Sequence, residues 1–351
     1  MVGAVTGPWH IVVTGGCGFI GSNFVRHVVH EYSNVSITVL DALTYAANAA
    51  NLAGLDRGRV EVVVGDICDA PLVDKLVARS DAVVNFAAET HNDNSIVDPA
   101  PFLRTNIQGV AVLLQACTAH GVRFHQVSTD EVFGDMPLGS SDRFTEESPY
   151  RPSSPYSASK AAADMLVRAW VRTYGTKATI SCSSNNYGPY QHVEKFIPRQ
   201  VTNLIEGRPP KLYGTGANVR DWIHVDDHSR ALCTILEKGR IGETYLVSAG
   251  CERSNLQVMQ RIVLAFGRTI DCVEHVADRP GHDLRYALDA SKLRALGWTP
   301  QHADFERGLD QTIAWYRAHA GVWTDVKEET ERRYARRERP SDGSSLPVSR
   351  V

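Results

Sequence analysis

Short apolar runs alternating with longer amphipathic stretches organise the first half of the chain. His10 to Thr14, Ser36 to Leu40, Val60 to Val64, Ala82 to Phe86, Val122 to Val127 and Ala178 to Cys182 are rich in Val and Ile and lack polar alternation. That is the pattern of parallel strands buried on both faces. Helical periodicity fills the gaps between them, so residues 9–184 are expected to form an α/β, Rossmann-type doubly wound parallel sheet. Beyond Asn185 the pattern loosens. Helices are expected over Phe196 to Ile205, Asp226 to Leu236, Asn255 to Phe266 and Phe305 to Ala318, separated by loops and isolated strands. This predicts a smaller, irregular α/β lobe over 185–325 whose loops face the sheet, with the chain free to cross back to the first domain. From Thr324 the chain is highly charged, and Arg339 to Val351 is rich in Pro, Ser and Gly, so 326–351 is expected to be a frayed helix followed by a disordered tail.

Composition narrows the partners. A net charge of −3 over 351 residues gives no basic footprint for nucleic acid. No apolar run approaches the roughly 20 residues of a membrane span, and Met1 to His10 lacks the charged start and apolar middle of a signal peptide. A cytoplasmic protein is expected. Seven scattered cysteines suggest neither a disulfide framework nor zinc. His91, His192, His224, His228 and His282 show no ligand spacing with one another, so no metal is expected.

Thr14-Gly15-Gly16-Cys17-Gly18-Phe19-Ile20-Gly21 follows the first strand and opens a helix. Glycines there let backbone approach a pyrophosphate, whose charge is met by the helix N-terminus. Asp41 ends the second strand, where a carboxylate takes ribose hydroxyls and repels a 2'-phosphate, which favours NAD over NADP. Asp66, just after the third strand, is placed to accept from an adenine amino group. Ala87, Ala88, Glu89 and Thr90 follow the fourth strand, where small residues leave room for a cofactor. Thr105 and Asn106 serve equally well as cofactor contacts or as local backbone partners.

Ser128-Thr129-Asp130-Glu131 and Tyr156 with Lys160 carry the chemistry. A tyrosine and a lysine four apart share a helix face, so the ammonium can make the phenolate less costly. That is a base for an alcohol. Asp130 and Glu131 are surplus to a simple alcohol oxidation, and they stand at the carboxyl end of a parallel strand, where open α/β sheets bind ligands.

The glycine loop, Tyr156 and Lys160 resemble the extended short-chain dehydrogenase/reductase superfamily. Asp41-Ala-Leu-Thr-Tyr45, Ser128-Thr-Asp-Glu-Val-Phe-Gly-Asp135, Pro152-Ser-Ser-Pro-Tyr-Ser-Ala-Ser-Lys160, Asn185-Asn-Tyr-Gly-Pro-Tyr-Gln-His-Val-Glu-Lys195, Arg220-Asp-Trp222 and Asp278-Arg-Pro-Gly-His-Asp283 narrow the resemblance, over about residues 10 to 325, to the dTDP-glucose 4,6-dehydratase family. The resemblance implies catalysis by Thr129, Asp130, Glu131, Tyr156 and Lys160, with oxidation at carbon 4, elimination across carbons 5 and 6, and return of the hydride to carbon 6. For NAD it implies Gly15, Gly18, Phe19, Ile20, Gly21, Asp41, Ala42, Leu43, Thr44, Asp66, Ile67, Phe86, Ala87, Ala88, Glu89, Thr105, Tyr156, Lys160 and Asn186. For the sugar nucleotide it implies Thr90, Thr129, Asp130, Asn185, Lys195, Arg220, Asn255, Arg279 and His282, and a homodimer is usual. Three positions depart: the family has serine at Thr90, arginine at Asn94 and tyrosine at Phe133. A UDP-glucose 4,6-dehydratase would share the catalytic residues. A uronic acid decarboxylase of the same fold is a further alternative, a 4-epimerase has no need of Asp130 and Glu131, and a non-catalytic NAD sensor has no need of Tyr156 and Lys160.

Overall fold

The computed structural model describes residues 9–278 and 281–337. Its strands are β1 (Trp9–Thr14), β2 (Val35–Asp41), β3 (Val60–Val64), β4 (Ala82–Asn85), β5 (Arg123–Thr129), β6 (Ala178–Ser183), β7 (Asn185–Tyr187), β8 (Lys211–Tyr213), β9 (Val219–His224), β10 (Thr244–Val247), β11 (Glu252–Ser254) and β12 (Glu274–Val276). The helices are α1 (Phe19–Glu31), α2 (Ala70–Val77), α3 (Asn92–Val97), α4 (Ala100–Leu103), α5 (Val110–His120), α6 (Pro155–Tyr174), α7 (Phe196–Ile205), α8 (Val225–Lys238), α9 (Asn255–Ala265), α10 (Ser291–Arg294), α11 (Phe305–Ala318) and α12 (Thr324–Arg337).

Seven parallel strands form the main sheet in the order β10-β6-β5-β4-β1-β2-β3. The chain runs outward from β1 to β3 and then crosses back to β4 on the other side of β1. This reversal opens a crevice at the carboxyl ends of β1 and β4, where doubly wound sheets bind nucleotides. Apolar side chains cover both faces: Leu113, Leu114 and Val167 from α5 and α6 on one, Phe24, Val25, Leu232 and Ile235 from α1 and α8 on the other. Truncating one of these fully buried side chains to Ala costs about 2–5 kcal/mol, so the strand ends are rigidly placed. A third core, with Tyr187, Val201, Trp222, Ile262 and Leu309, holds the second lobe.

From the lobe segment a strand returns to the main sheet, β10 pairing Thr244 to Ile180 and Val247 to Ser183 of β6. One feature departs from the sequence pattern. The expected tail is, over Thr324–Arg337, a helix packed on α7. Lys327 Nζ donates to Asn203 Oδ1 at 2.5 Å and Glu331 Oε1 at 2.7 Å. Arg199 of α7 pairs with Glu331 at 2.9 Å, and Tyr334 is buried against the Arg199 guanidinium. Composition counts these charges as solvated, whereas here they neutralise one another inside a groove. Residues 338–351, the rest of the expected disordered tail, lie outside the described residues.

Candidate active site

The carboxyl end of β5 delivers Thr129, Asp130 and Glu131. Thr129 is extended (φ −134°, ψ 154°) and caps the short 3-10 turn Asp130–Phe133, its Oγ1 accepting from the Glu131 N–H at 3.3 Å. The same hydroxyl donates to Asp130 Oδ1 at 3.2 Å. Asp130 is 1% exposed, and its Oδ2 has no hydrogen-bond partner among the described residues. Burial, then the neighbouring Glu131 carboxylate, pushes the Asp130 carboxyl well above its ordinary range, and Arg220 only partly opposes them. Two adjacent carboxyls in unlike surroundings separate into a neutral acid and a base. Glu131 Oε2 accepts from Asn92 Nδ2 at 2.5 Å.

Tyr156 and Lys160 sit in the first turns of α6. That helix starts abruptly because Ser154 and Ser157 form a reciprocal cap and Pro155 fixes the first helical residue. Burial raises the Tyr156 phenol, Glu131 raises it further, and the Thr129 hydroxyl acts the other way. Lys160 shares the Tyr156 face, but its Nζ donates to the Val127 carbonyl at 2.8 Å. Burial draws the ammonium down and Asp164, one turn on, pushes it back up. Asp164 is itself raised to about 6 by burial, against the pull of Lys160 and the hydroxyls of Ser128 and Tyr150, which donate to it at 2.7 and 3.1 Å.

The nucleotide crevice is built largely of backbone. At Gly15 (φ +67°) a Cβ would stand 2.6 Å from Ala87 N, and at Gly21 one would stand 2.4 Å from Gly15 O. Only side-chain-free residues permit this loop, so α1 presents its N-terminus directly to the crevice, as a pyrophosphate requires. Asp41 Oδ2 accepts from Cys17 N–H at 2.8 Å and Oδ1 from Leu43 N–H at 2.9 Å. Each oxygen keeps a lone pair for a ribose hydroxyl, and these residues fit a dinucleotide. Leu43 takes a positive φ of 49° and is partly exposed, with Ala42 and Thr44 beside it. Phe19 and Ile20 open α1, and Phe86 packs on Phe24. Ala87 N–H reaches Thr14 Oγ1 at 3.3 Å.

Several residues expected at the cofactor also have partners within the protein. Asp66, beside the buried Ile67, accepts from Cys68 N–H and pairs with Arg104 at 2.6 Å. Burial works against its charge, but these partners hold it below the ordinary range. Glu89 is clamped by Asn106, whose amide bonds its backbone N–H and carbonyl and also Ser159. Thr105 lies next to it in a π-helical turn, Arg104–Gly109, that joins α4 to α5. Such turns are frequent at functional sites. Asn186 is buried with its amide held by Ser184 O and His228.

From the lobe, Lys195 caps α7 and donates to Thr90 O at 3.1 Å, joining two residues predicted for the substrate. Arg220 is buried, bonded to the carbonyls of Val219 and Asp283, and stacked on Tyr286. Asn185 Oδ1 is buried with no partner among the described residues. Asn255 is the first residue of α9, and His282 bonds Asp278 at 2.6 Å. Arg279, also expected here, lies outside the described residues. Of the departures, Phe133 is buried between Phe144 and Tyr150 at ring distances of 5.1 and 5.2 Å, so no hydroxyl is wanted there. Asn94 reaches Tyr45 OH at 3.3 Å.

Asn92 and Tyr286 meet their functional partners only through the fold, whereas Asp164, one turn past Lys160 on α6, carried a signal in its i, i+4 spacing that went unused. The histidines hold a further surprise: donor atoms of His224, Asp226 and His302 lie within 4.8 Å of one another. The two rings, however, are stacked 4.2 Å apart and 22° from parallel, so their in-plane lone pairs run side by side rather than converge.

The family model described as GDP-mannose 4,6 dehydratase matches residues 12–312. The dTDP-glucose 4,6-dehydratase of Mycolicibacterium smegmatis is 60% identical over 328 residues, 93% of this chain and 99% of the relative. The dTDP-glucose 4,6-dehydratase 1 of Escherichia coli is 45% identical, over 90% of this chain and 94% of the relative. Among solved structures, the Streptomyces venezuelae dTDP-glucose 4,6-dehydratase DesIV, with NAD and TYD bound, superposes with a TM-score of 0.87 at 48% identity, covering 90% of this chain and 99% of that one. The Thermus thermophilus UDP-glucose 4-epimerase in complex with NAD reaches 0.81 at 29% identity, covering 88% and 99%. A carboxyl pair at the end of β5, a dinucleotide crevice and these matches make the chain a member of the dTDP-glucose 4,6-dehydratase family, NAD-dependent hydro-lyases on the short-chain dehydrogenase/reductase fold.

Proposed function

We propose that this enzyme converts dTDP-glucose to dTDP-4-keto-6-deoxyglucose and water, as a homodimer in the cytoplasm. The Gly15 to Gly21 loop and Asp41 would hold NAD, which would supply the reversible two-electron chemistry: an acceptor for the hydride of carbon 4 and, once reduced, its donor to carbon 6. Tyr156 takes the proton of the carbon 4 hydroxyl, steadied by the Thr129 hydroxyl and the Lys160 ammonium. The ketone acidifies carbon 5, whose proton passes to Glu131. Asp130, neutral at the start, protonates the carbon 6 oxygen as it leaves. Lys195, Arg220 and His282, with Asn185, Asn255 and Arg279, hold the nucleotide diphosphate end, Arg220 by its planar fork.

One observation carries this reading: Asp130, buried and raised, stands next to Glu131 at the strand end that also meets Tyr156. An alcohol dehydrogenase or epimerase has no use for that pair. The homodimer is supported by Ile96, Val97, Leu103 and Met165, exposed apolar side chains on the touching helices α3, α4 and α6. Seven free cysteines suit a reducing compartment. Purified enzyme incubated with dTDP-glucose is expected to yield a product lighter by one water by mass spectrometry. Unchanged mass with normal cofactor content would overturn the proposal, and faster turnover of UDP-glucose in a parallel reaction would overturn the choice of base.

A further inference from the structure

Asn92 is the first residue of α3, far from the Ser128 to Glu131 run in sequence, yet its Nδ2 lies 2.5 Å from Glu131 Oε2. Its place is fixed from both sides. The preceding His91 is buried with its Nε2 3.1 Å from Tyr334 OH of α12, and the Asn92 carbonyl accepts from the Ser95 hydroxyl at 2.7 Å. Asn92 Oδ1 is buried and has no partner among the described residues. Leaving a buried carbonyl oxygen unbonded is unfavourable, and turning the amide over would only set that oxygen against a carboxylate. The observed orientation gives Glu131 a donor with a fixed hydrogen, which stabilises its ionised form over its neutral one.

We propose that Asn92 is a positioning residue for the elimination step: its side-chain amide aims the Glu131 carboxylate and keeps it unprotonated until carbon 5 has been acidified. The proposal rests on the reading of Glu131 as the carbon 5 base. Asp130 of the same turn and Tyr156 of α6 bring acids rather than donors with fixed hydrogens, and Tyr286 is raised by burial and then by Glu131. Arg220 of β9 opposes the rise of Asp130 and of Tyr286 while its fork bonds backbone carbonyls. Asp221 adds a further negative charge on the Asp130 side, and Asp93, on α3 itself, is another carboxylate and no donor.

Single-turnover measurements separate the two halves of the reaction. Appearance of reduced nicotinamide reports oxidation at carbon 4, and its decay with loss of water reports elimination and return. Asn92→Leu should slow elimination by up to about ten-fold on the acid side of the profile, where the base is largely protonated, because a hydrogen bond to a charged group is worth about one pKa unit or more. The acid limb of the elimination rate should move up by about one pH unit, since a base that has lost this donor holds its proton to higher pH. Oxidation and bound cofactor should be unchanged. Asn92→Asp, which keeps the shape and substitutes a like charge, should move the limb further in the same direction and serves if the leucine variant fails to fold. An unshifted limb, or equal slowing of both halves, would overturn the role of Asn92. Glu131→Gln is the separating control: full turnover by that variant would overturn the base itself, whereas a stall after oxidation combined with an unshifted Asn92→Asp limb would overturn Asn92 alone.

Discussion

Replacing Asp130 by asparagine removes a transferable proton while keeping size, shape and the oxygen that accepts from Thr129. The structure makes this an unusually clean perturbation. Asp130 is 1% exposed, and burial together with Glu131 pushes its carboxyl well above the ordinary range, toward the neutral form that the substituted amide copies. Binding of cofactor and sugar nucleotide should therefore be untouched, and so should oxidation at carbon 4, which uses Tyr156. What is lost is general acid catalysis of the departing carbon 6 oxygen, typically a factor of about 10²–10⁴, or about 3–5 kcal/mol of barrier. Rapid mixing with dTDP-glucose should show reduced nicotinamide forming at the parent rate and then persisting, while quenched samples show water loss slowed by at least about a hundred-fold. Elimination within about three-fold of the parent rate would refute the assignment, since a group worth that little is no general acid. Loss of the oxidation step would refute the electrostatic reasoning instead, because it would mean the carboxyl is charged before chemistry begins.

Other consequences are equally open to measurement. Asp164 is pushed from 3.8 to about 6 in the fold, so the folded state binds the extra proton and stability falls as pH rises from about 4 to about 6, by about 3 kcal/mol in all. Asp164→Asn should shrink that fall in urea unfolding midpoints, leaving the part that Asp130 and Asp221 contribute with the same sign; an unchanged slope contradicts it. Glu331→Gln leaves Lys327 and Arg199 buried without their anion and should destabilise the protein by about 3 kcal/mol, read from denaturant titration, while a loss below about 0.5 kcal/mol would return α12 to the status of a solvated tail. Asp41→Asn should weaken NAD about ten-fold or more by calorimetry, as a charged acceptor for ribose hydroxyls is lost, and should narrow the preference over NADP; unchanged affinity for both would remove Asp41 from the cofactor site.

The strands that place the chemistry were legible because burial on both faces leaves its mark residue by residue: β3 spans Val60 to Val64 as expected, while β5, expected over Val122 to Val127, runs on to Thr129. Helices α7 and α11 likewise match their apolar periodicity end to end. Thr244–Val247 was not legible, since four residues with no distinctive flank look alike whether they close a large sheet or a small one. Pairing across the chain was invisible too. Lys327, Arg199 and Glu331 read as surface charge until α12 is laid on α7, and Asn92 is an ordinary loop asparagine until α3 brings it to Glu131. The expected partnership of Lys160 with Tyr156 was right in its helical geometry, but the spacing could not reveal that the Val127 carbonyl would take the ammonium.

The central claim is that Asp130 and Glu131 carry out an elimination inside a redox cycle that closes on the same sugar. dTDP-glucose bearing deuterium on carbon 4, turned over by the purified enzyme and analysed by NMR and mass spectrometry, tests it most directly. The account predicts a product that has lost one water and carries the label on carbon 6. A carbon 4 epimer of unchanged mass, or a product whose label has been lost to solvent, would contradict it.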